Sequence, residues 1–177
     1  MKLTKIEPKF ITNHNPRIGL ITLASDFRIE NDFNNVIHGK DIDLYCNRIH
    51  CYNPLPNETL KKMADDIPKV TADILPDQKL DCVAYGCTSG TIAAGYSSIF
   101  EKVNSAKPNT KVTTPITSAI NALKHLKINK LSIFTPYTDE INQSVINYFK
   151  KENINITELS YFDIASDLDI GKVDPDY

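Results

Sequence analysis

Short apolar runs alternate along this chain with stretches whose apolar residues recur every three or four positions. Arg17-Ile-Gly-Leu-Ile-Thr-Leu23 is a short continuous apolar run and predicts a buried strand. Ser25 to Gly39, with Asn31, Asp32, Asn34 and Asn35, reads as a polar, turn-rich connection. Asp41 to Cys51 alternates, with Ile42, Leu44 and Cys46 on one face, and predicts a second strand. Asn53-Pro-Leu-Pro-Asn57 ends it and offers Asn57 as a helix cap. Leu60, Met63, Ala64, Ile67, Val70 and Ile74 have helical spacing, and Pro68 predicts a kink or break among them.

Cys82-Val-Ala-Tyr85 predicts a third strand, with a sharp turn at Gly86-Cys-Thr-Ser-Gly90. Ile92, Tyr96, Ile99, Phe100 and Val103 then give one apolar helix face. Val112 to Ile116 is a short extended piece. Ile116, Ala119, Ile120, Leu123 and Leu126 or Lys127 form another helix face. Leu131 to Phe134 predicts a strand and Thr135-Pro-Tyr-Thr138 a turn. Ile141, Val145, Tyr148 and Phe149 mark a further helix, with Asp139 and Glu140 in its first turn and Lys150 and Lys151 in its last, matching the macrodipole. Ile154 to Tyr161 is the last predicted strand. Alternating strands and helices with short connections imply parallel strands joined by right-handed crossovers, an α/β layered fold. The expected organisation is an arm over 1–15, a first α/β half over 16–114 and a partial second half over 115–177.

Composition adds exclusions. With 177 residues, 41% hydrophobic and 24% charged, the chain has the make-up of a globular protein. Twenty basic against twenty-two acidic residues leave no basic excess for nucleic acid or an anionic membrane. No apolar run approaches the roughly 18–20 residues of a membrane span. Met1 to Phe10 lacks the apolar core of a signal peptide, so a cytoplasmic location is expected.

The four cysteines fall in two pairs, Cys46 with Cys51 and Cys82 with Cys87, each five apart. An odd offset in a strand points two side chains to opposite faces, so neither pair is read as a metal site. Ligands in parallel sheets bind beyond the carboxyl ends of strands, which singles out Ala24-Ser25-Asp26, Gly86 to Thr91 and Thr135 to Thr138. The middle turn combines backbone N–H groups with the hydroxyls of Thr88 and Ser89, a cradle for a carboxylate or a developing enolate oxygen. It is neither a Walker loop nor a GxGxxG turn. Cys87, at the junction of strand and helix, is the candidate thiol, with its pKa expected to be lowered by the helix end. Its alternative is a small buried residue capping a strand. Cys46, Cys51 and Cys82 read as residues inside strands. Tyr137 either presents its hydroxyl over the same sheet edge or packs on the helix cap.

Gly86-Cys-Thr-Ser-Gly-Thr91 and Phe134-Thr-Pro-Tyr-Thr-Asp-Glu-Ile-Asn142 resemble the maleate isomerase and arylmalonate decarboxylase branch of the Asp/Glu racemase superfamily. Gly19-Leu-Ile-Thr-Leu-Ala-Ser-Asp26 resembles it too. So does Asp167-Leu-Asp-Ile-Gly-Lys-Val-Asp-Pro175, near the ectoine-utilisation decarboxylase-like members. The resemblance implies two similar α/β halves with the site between them. It also implies an isomerase, racemase or decarboxylase (lyase) chemistry on a small carboxylic or dicarboxylic acid, through an enediolate-like intermediate and with no metal or organic cofactor. By position it makes Cys87 the first-half thiol, nucleophile or base. Thr88, Ser89 and Tyr137 become the hydroxyls that hold a substrate carboxylate. Asp26 and Asp167 fall where maleate isomerases tend to have asparagine, and an aspartate there repels a substrate carboxylate unless protonated or turned away. The family's second cysteine motif would lie past Tyr177. The second half is therefore expected to be incomplete, and its uncovered strands to favour pairing with another copy. A non-catalytic carboxylate-binding homologue is the alternative role.

Overall fold

The structure, a computed structural model, describes residues 1–52 and 57–177, the side chain of Asn57 excepted. The proposed cap at Asn57 and the break at 53–56 lie outside the described residues. Residues 1–15 carry no helix or strand and are exposed.

Strand β1 (Arg17–Leu23) is central and buried from Gly19 onward. Its apolar run is continuous because both faces are covered. It pairs in parallel with β2 (Asp43–Ile49) on one side and β3 (Cys82–Tyr85) on the other, and β3 pairs with β4 (Lys111–Thr113). The sheet order is β2-β1-β3-β4. A second parallel sheet joins β5 (Lys130–Thr135) to β6 (Asn155–Tyr161), with a register irregularity at Leu131/Ser132. The α/β, parallel-sheet reading of the sequence therefore holds.

Four local expectations are corrected. The segment after β1 is not turn throughout. It forms α1 (Ile29–Ile37), whose Ile29, Phe33 and Ile37 lie four apart and are half-buried while its polar residues face solvent. In β2 Leu44 is half-covered as expected, but so are Tyr45 and Asn47 of the other face, which ends in the buried Ile49, and Cys46 is exposed. Helix α3 (Ile67–Ala72) packs on that face, and Asn47 Nδ2 donates to the Val70 carbonyl at 2.9 Å.

The apolar stretch after Cys87 is two helices, α4 (Thr88–Ala94) and α5 (Tyr96–Ala106). Gly95 separates them at φ +83°, a backbone conformation that glycine adopts without steric cost. Ile99 and Val103 of α5 are fully buried. Finally, the residues after β6, where no element is predicted, include the short helix α8 (Asp167–Ile170), capped by Ser166, whose Oγ accepts from the Asp169 N–H at 3.4 Å.

The break at Pro68 is present. Helix α2 (Asn57–Met63) passes through a 3-10 turn at Ala64–Asp66 into α3, where Pro68 occupies the first turn and needs no N–H partner. Helix α6 (Pro115–His125) starts from a reciprocal cap between Thr114 and Thr117. Helix α7 (Asp139–Lys151) buries Ile141, Asn142, Val145 and Phe149. Helix α4 touches α2, α6 and α7, so the helix that follows Cys87 lies where the layers of the two sheets meet.

Candidate active site

The carboxyl ends of β1, β2 and β3 lie side by side, with Leu23 paired to Ile49 and Ile21 to Tyr85. Two residues past each strand stand Ser25, Cys51 and Cys87. Cys51 therefore lies beyond a strand end, not inside a strand as its alternating neighbours imply.

Cys87 is the N-cap of α4 and only 4% exposed. Its Sγ accepts the Gly90 N–H at 3.2 Å and lies 3.8 Å from Ser89 Oγ. The expected lowering of its pKa is overturned. Burial is the largest influence and pushes the thiol up to about 11, with the negative charge of Asp167 and a nearby Cys51 adding to it. The Gly90 N–H and Ser89 hydroxyl oppose this without prevailing, because a fully desolvated thiolate loses more from leaving water than two donors return. At neutral pH Cys87 rests as a thiol.

The other candidates come from distant stretches of chain. Tyr137, in the turn between β5 and α7, shares a hydrogen bond with Thr88, and burial followed by the charge of Cys87 raises its hydroxyl above the usual phenol range. Its backbone is fixed by Asn142, whose Nδ2 donates to the Tyr137 carbonyl at 3.0 Å and whose Oδ1 accepts from Thr135 Oγ1 at 2.5 Å. Asp167, first residue of α8, accepts a hydrogen bond from Ser25 Oγ. Burial, then the charge of Asp26, hold the Asp167 carboxyl above the ordinary aspartate value against the lowering by Ser25. Its charge acts on Cys87, Cys51 and Tyr137 alike. Cys87, Thr88, Ser89, Tyr137 and Asp167 are thus gathered at one place.

Asp26 is turned aside. Its Oδ1 accepts the N–H groups of Arg28 at 2.7 Å and Ile29 at 3.0 Å, opening α1. It borders, with Arg28, Asp32, Asp167 and Gly171, a neighbouring cavity of about 380 Å³.

Sequence reasoning placed Ser25 in a candidate turn without giving it a role, and did not single out Tyr85, Asn142 or Arg48. Arg48 of β2 donates through Nη1 to the carbonyls of Leu23 at 3.3 Å, Ala24 at 3.3 Å and Asp26 at 2.6 Å, which fixes the turn carrying Ser25. Its extended, alternating position in β2 gives no hint of that. Among the described residues no His, Cys, Asp and Glu side chains gather as three or more metal ligands would. Among the described residues no helix is long and apolar enough to cross a membrane.

Comparison with known proteins finds chains of similar sequence and fold. The family model described as arylmalonate decarboxylase matches residues 93–177. A maleate isomerase of Alcaligenes faecalis is 25% identical over 175 residues, covering 90% of this chain and 68% of that protein. One from Geobacillus stearothermophilus is 22% identical over 173 residues with the same coverage. Among solved structures, a Nocardia farcinica maleate cis-trans isomerase carrying a Cys-to-Ser substitution and a covalently bound succinylcysteine intermediate superposes with TM-score 0.80 at 18% identity, over 91% of this chain and 69% of that one. A liganded arylmalonate decarboxylase mutant gives 0.69 at 19% identity, over 84% and 63%. The chain is thus similar to the maleate isomerases and arylmalonate decarboxylases, and this likeness supports the Asp/Glu racemase-like branch that its motifs resemble.

Proposed function

We propose that this protein carries out cofactor-independent, cysteine-based chemistry on a small carboxylic acid, of the racemase, cis-trans isomerase or decarboxylase class. The observation that carries this is the Cys87 thiol, buried beside the Thr88–Tyr137 hydroxyl pair and the Ser89 hydroxyl at a sheet's carboxyl edge. The three hydroxyls donate to the substrate carboxylate, and most strongly once it gains charge as an enediolate. Cys87 starts protonated, so in a decarboxylation it delivers that proton to the enediolate carbon, whose electron pair comes from the C–C bond broken as CO2 leaves. The S–H bond breaks, a C–H bond forms, and the electron pair stays on sulfur, where the Gly90 N–H already points. In the reverse direction the thiolate removes the same proton. A Cys87 thiolate is also the species that adds to a double bond in an isomerisation.

The test is a panel of small mono- and dicarboxylic acids incubated with the protein in D2O and followed by proton NMR. Deuterium entering next to a carboxylate, a cis-trans change, or loss of CO2 is expected with one of them, reduced a hundredfold or more in Cys87→Ser. Turnover unchanged in that variant would sink the proposal. Saturable thermal stabilisation with no product from any acid would instead assign carboxylate binding as the role.

A further inference from the structure

Tyr85, the last residue of β3, is 0% exposed, and its hydroxyl has no hydrogen-bond partner of ordinary geometry. A buried native hydroxyl left in that state calls for a reason. Its place supplies one. A Cβ at position 90 would stand 2.8 Å from the Tyr85 Oη, 2.8 Å from the Cys87 Sγ and 3.1 Å from the Met63 Cε. The hydroxyl and the sulfur therefore border one small gap, which glycine at 90 leaves open. The thiols of Cys87 and Cys51 are the polar groups that act on the Tyr85 hydroxyl.

We propose that Tyr85 is a positioning residue for the thiol chemistry, its hydroxyl being the donor that engages the Cys87 sulfur when the sulfur becomes an anion. This rests on the reading of Cys87 as the acid of the site. The Tyr85 O–H bond stays intact throughout. It supplies a hydrogen bond, while the proton that leaves sulfur goes to the substrate carbon. In the resting state the sulfur is a neutral, weak acceptor, which explains why the hydroxyl's interaction with it falls short of ordinary hydrogen-bond geometry. After proton transfer the Gly90 N–H, Ser89 and Tyr85 surround it as donors. The charged and titratable groups facing the sulfur are Asp167 of α8, Cys51 beyond β2, Tyr137 of the β5–α7 turn and Tyr85 itself. None is cationic, so hydrogen-bond donation is the means at hand for holding a thiolate there.

Tyr85→Phe tests this, because it keeps the ring and deletes only the hydroxyl. Ionisation of Cys87 is read from thiolate absorbance during a pH titration, in protein with Cys46, Cys51 and Cys82 replaced by serine. On the otherwise native chain it is read from the peptide-resolved alkylation rate of Cys87 by iodoacetamide. The expected result is an upward move of the titration by about one pH unit and tenfold slower alkylation at pH 9, with Tm unchanged or higher. Superimposable profiles would overturn the proposal. A lower Tm with an unchanged profile would overturn it too, by making the hydroxyl a structural group. These readouts need no substrate, so they stand apart from the turnover of Cys87→Ser, on which the proposed function depends.

Discussion

The Ser25 hydroxyl donates to the carboxyl of Asp167 and so ties the turn after β1 to the first residue of α8, 142 positions away in the chain. This bond brings an acidic group beside the candidate thiol, and with the Thr88–Tyr137 hydrogen bond it joins the loops of the two sheets at one site. Replacing Ser25 by alanine removes the donor and leaves a largely buried carboxyl less well satisfied. Loss of a bond to a charged group costs about 1.5–3 kcal/mol. The loss is expected to be greater at pH 8, where Asp167 is ionised, than at pH 4, and urea unfolding at the two values measures it.

Asp167→Asn removes the negative charge without changing the side chain's size. Because burial raises the Asp167 pKa above its unfolded value, the stability contributed by its protonated carboxyl is complete at low pH and lost as pH rises through the folded pKa. The variant is therefore expected to gain stability over the parent at pH 7 and to show no gain near pH 3. It is also expected to bind dicarboxylates such as maleate at least tenfold more tightly, since the charge that opposes a second carboxylate is gone. Thermal shift with a mono- and a dicarboxylate series reads both effects, and an unchanged preference would remove Asp167 from the specificity of the site.

For Cys87 the raised pKa fixes a direction. Thiolate at pH 7 is a trace species, and its fraction climbs tenfold for each pH unit up to about 11. Alkylation of Cys87 by iodoacetamide, followed by peptide mass spectrometry, is expected to accelerate accordingly between pH 7 and 10 without a plateau. Folding stability falls over the same upper range, because a folded pKa above the unfolded one favours the neutral thiol and is lost as pH rises past roughly 9. A plateau near pH 8 would contradict both statements.

Gly90 and Gly95 separate two reasons for glycine. Gly90→Ala places a methyl 2.8 Å from the Cys87 Sγ and the Tyr85 Oη, and overpacking of that kind costs about 1–3 kcal/mol. It is expected to slow turnover strongly as well. At Gly95 the space is open and only the positive φ is at stake. Gly95→Ala is expected to cost about 1–3 kcal/mol from backbone strain, with little effect on kcat. Chemical unfolding and steady-state kinetics on the two variants distinguish the cases.

Arg48→Met removes the guanidinium that holds three carbonyls of the Ser25 turn and pairs with Glu30 at 2.9 Å. The ion pair is well exposed and adds little. The carbonyl bonds matter more, and a loss of about 1–2 kcal/mol is expected. The loosened turn should raise KM more than it lowers kcat, since Arg48 acts on the site only through Ser25.

The frame of this fold was legible because its signals are local. The apolar run of β1 and the periodicity of α6 and α7 report burial within a few residues of themselves, as does the Cys87 turn that closes β3. Where they failed, something distant decided. Ile29, Phe33 and Ile37 were masked by the polar residues between them, and the face of β2 was chosen by where α3 packs. Helix α8 is four residues long, too short for any periodicity to show.

By itself, then, the sequence determined an α/β chain with parallel strands and a thiol at the turn into α4. It also determined hydroxyls at Thr88, Ser89 and Tyr137, since strand-to-helix turns are written in neighbouring residues. Only the tertiary structure decided that Tyr137 meets Thr88, that Ser25 holds Asp167 beside Cys87, and that Asp26 turns away to open α1. It alone decided the protonation of Cys87 as well. Desolvation depends on everything packed around the sulfur, and no stretch of sequence around residue 87 contains that sum.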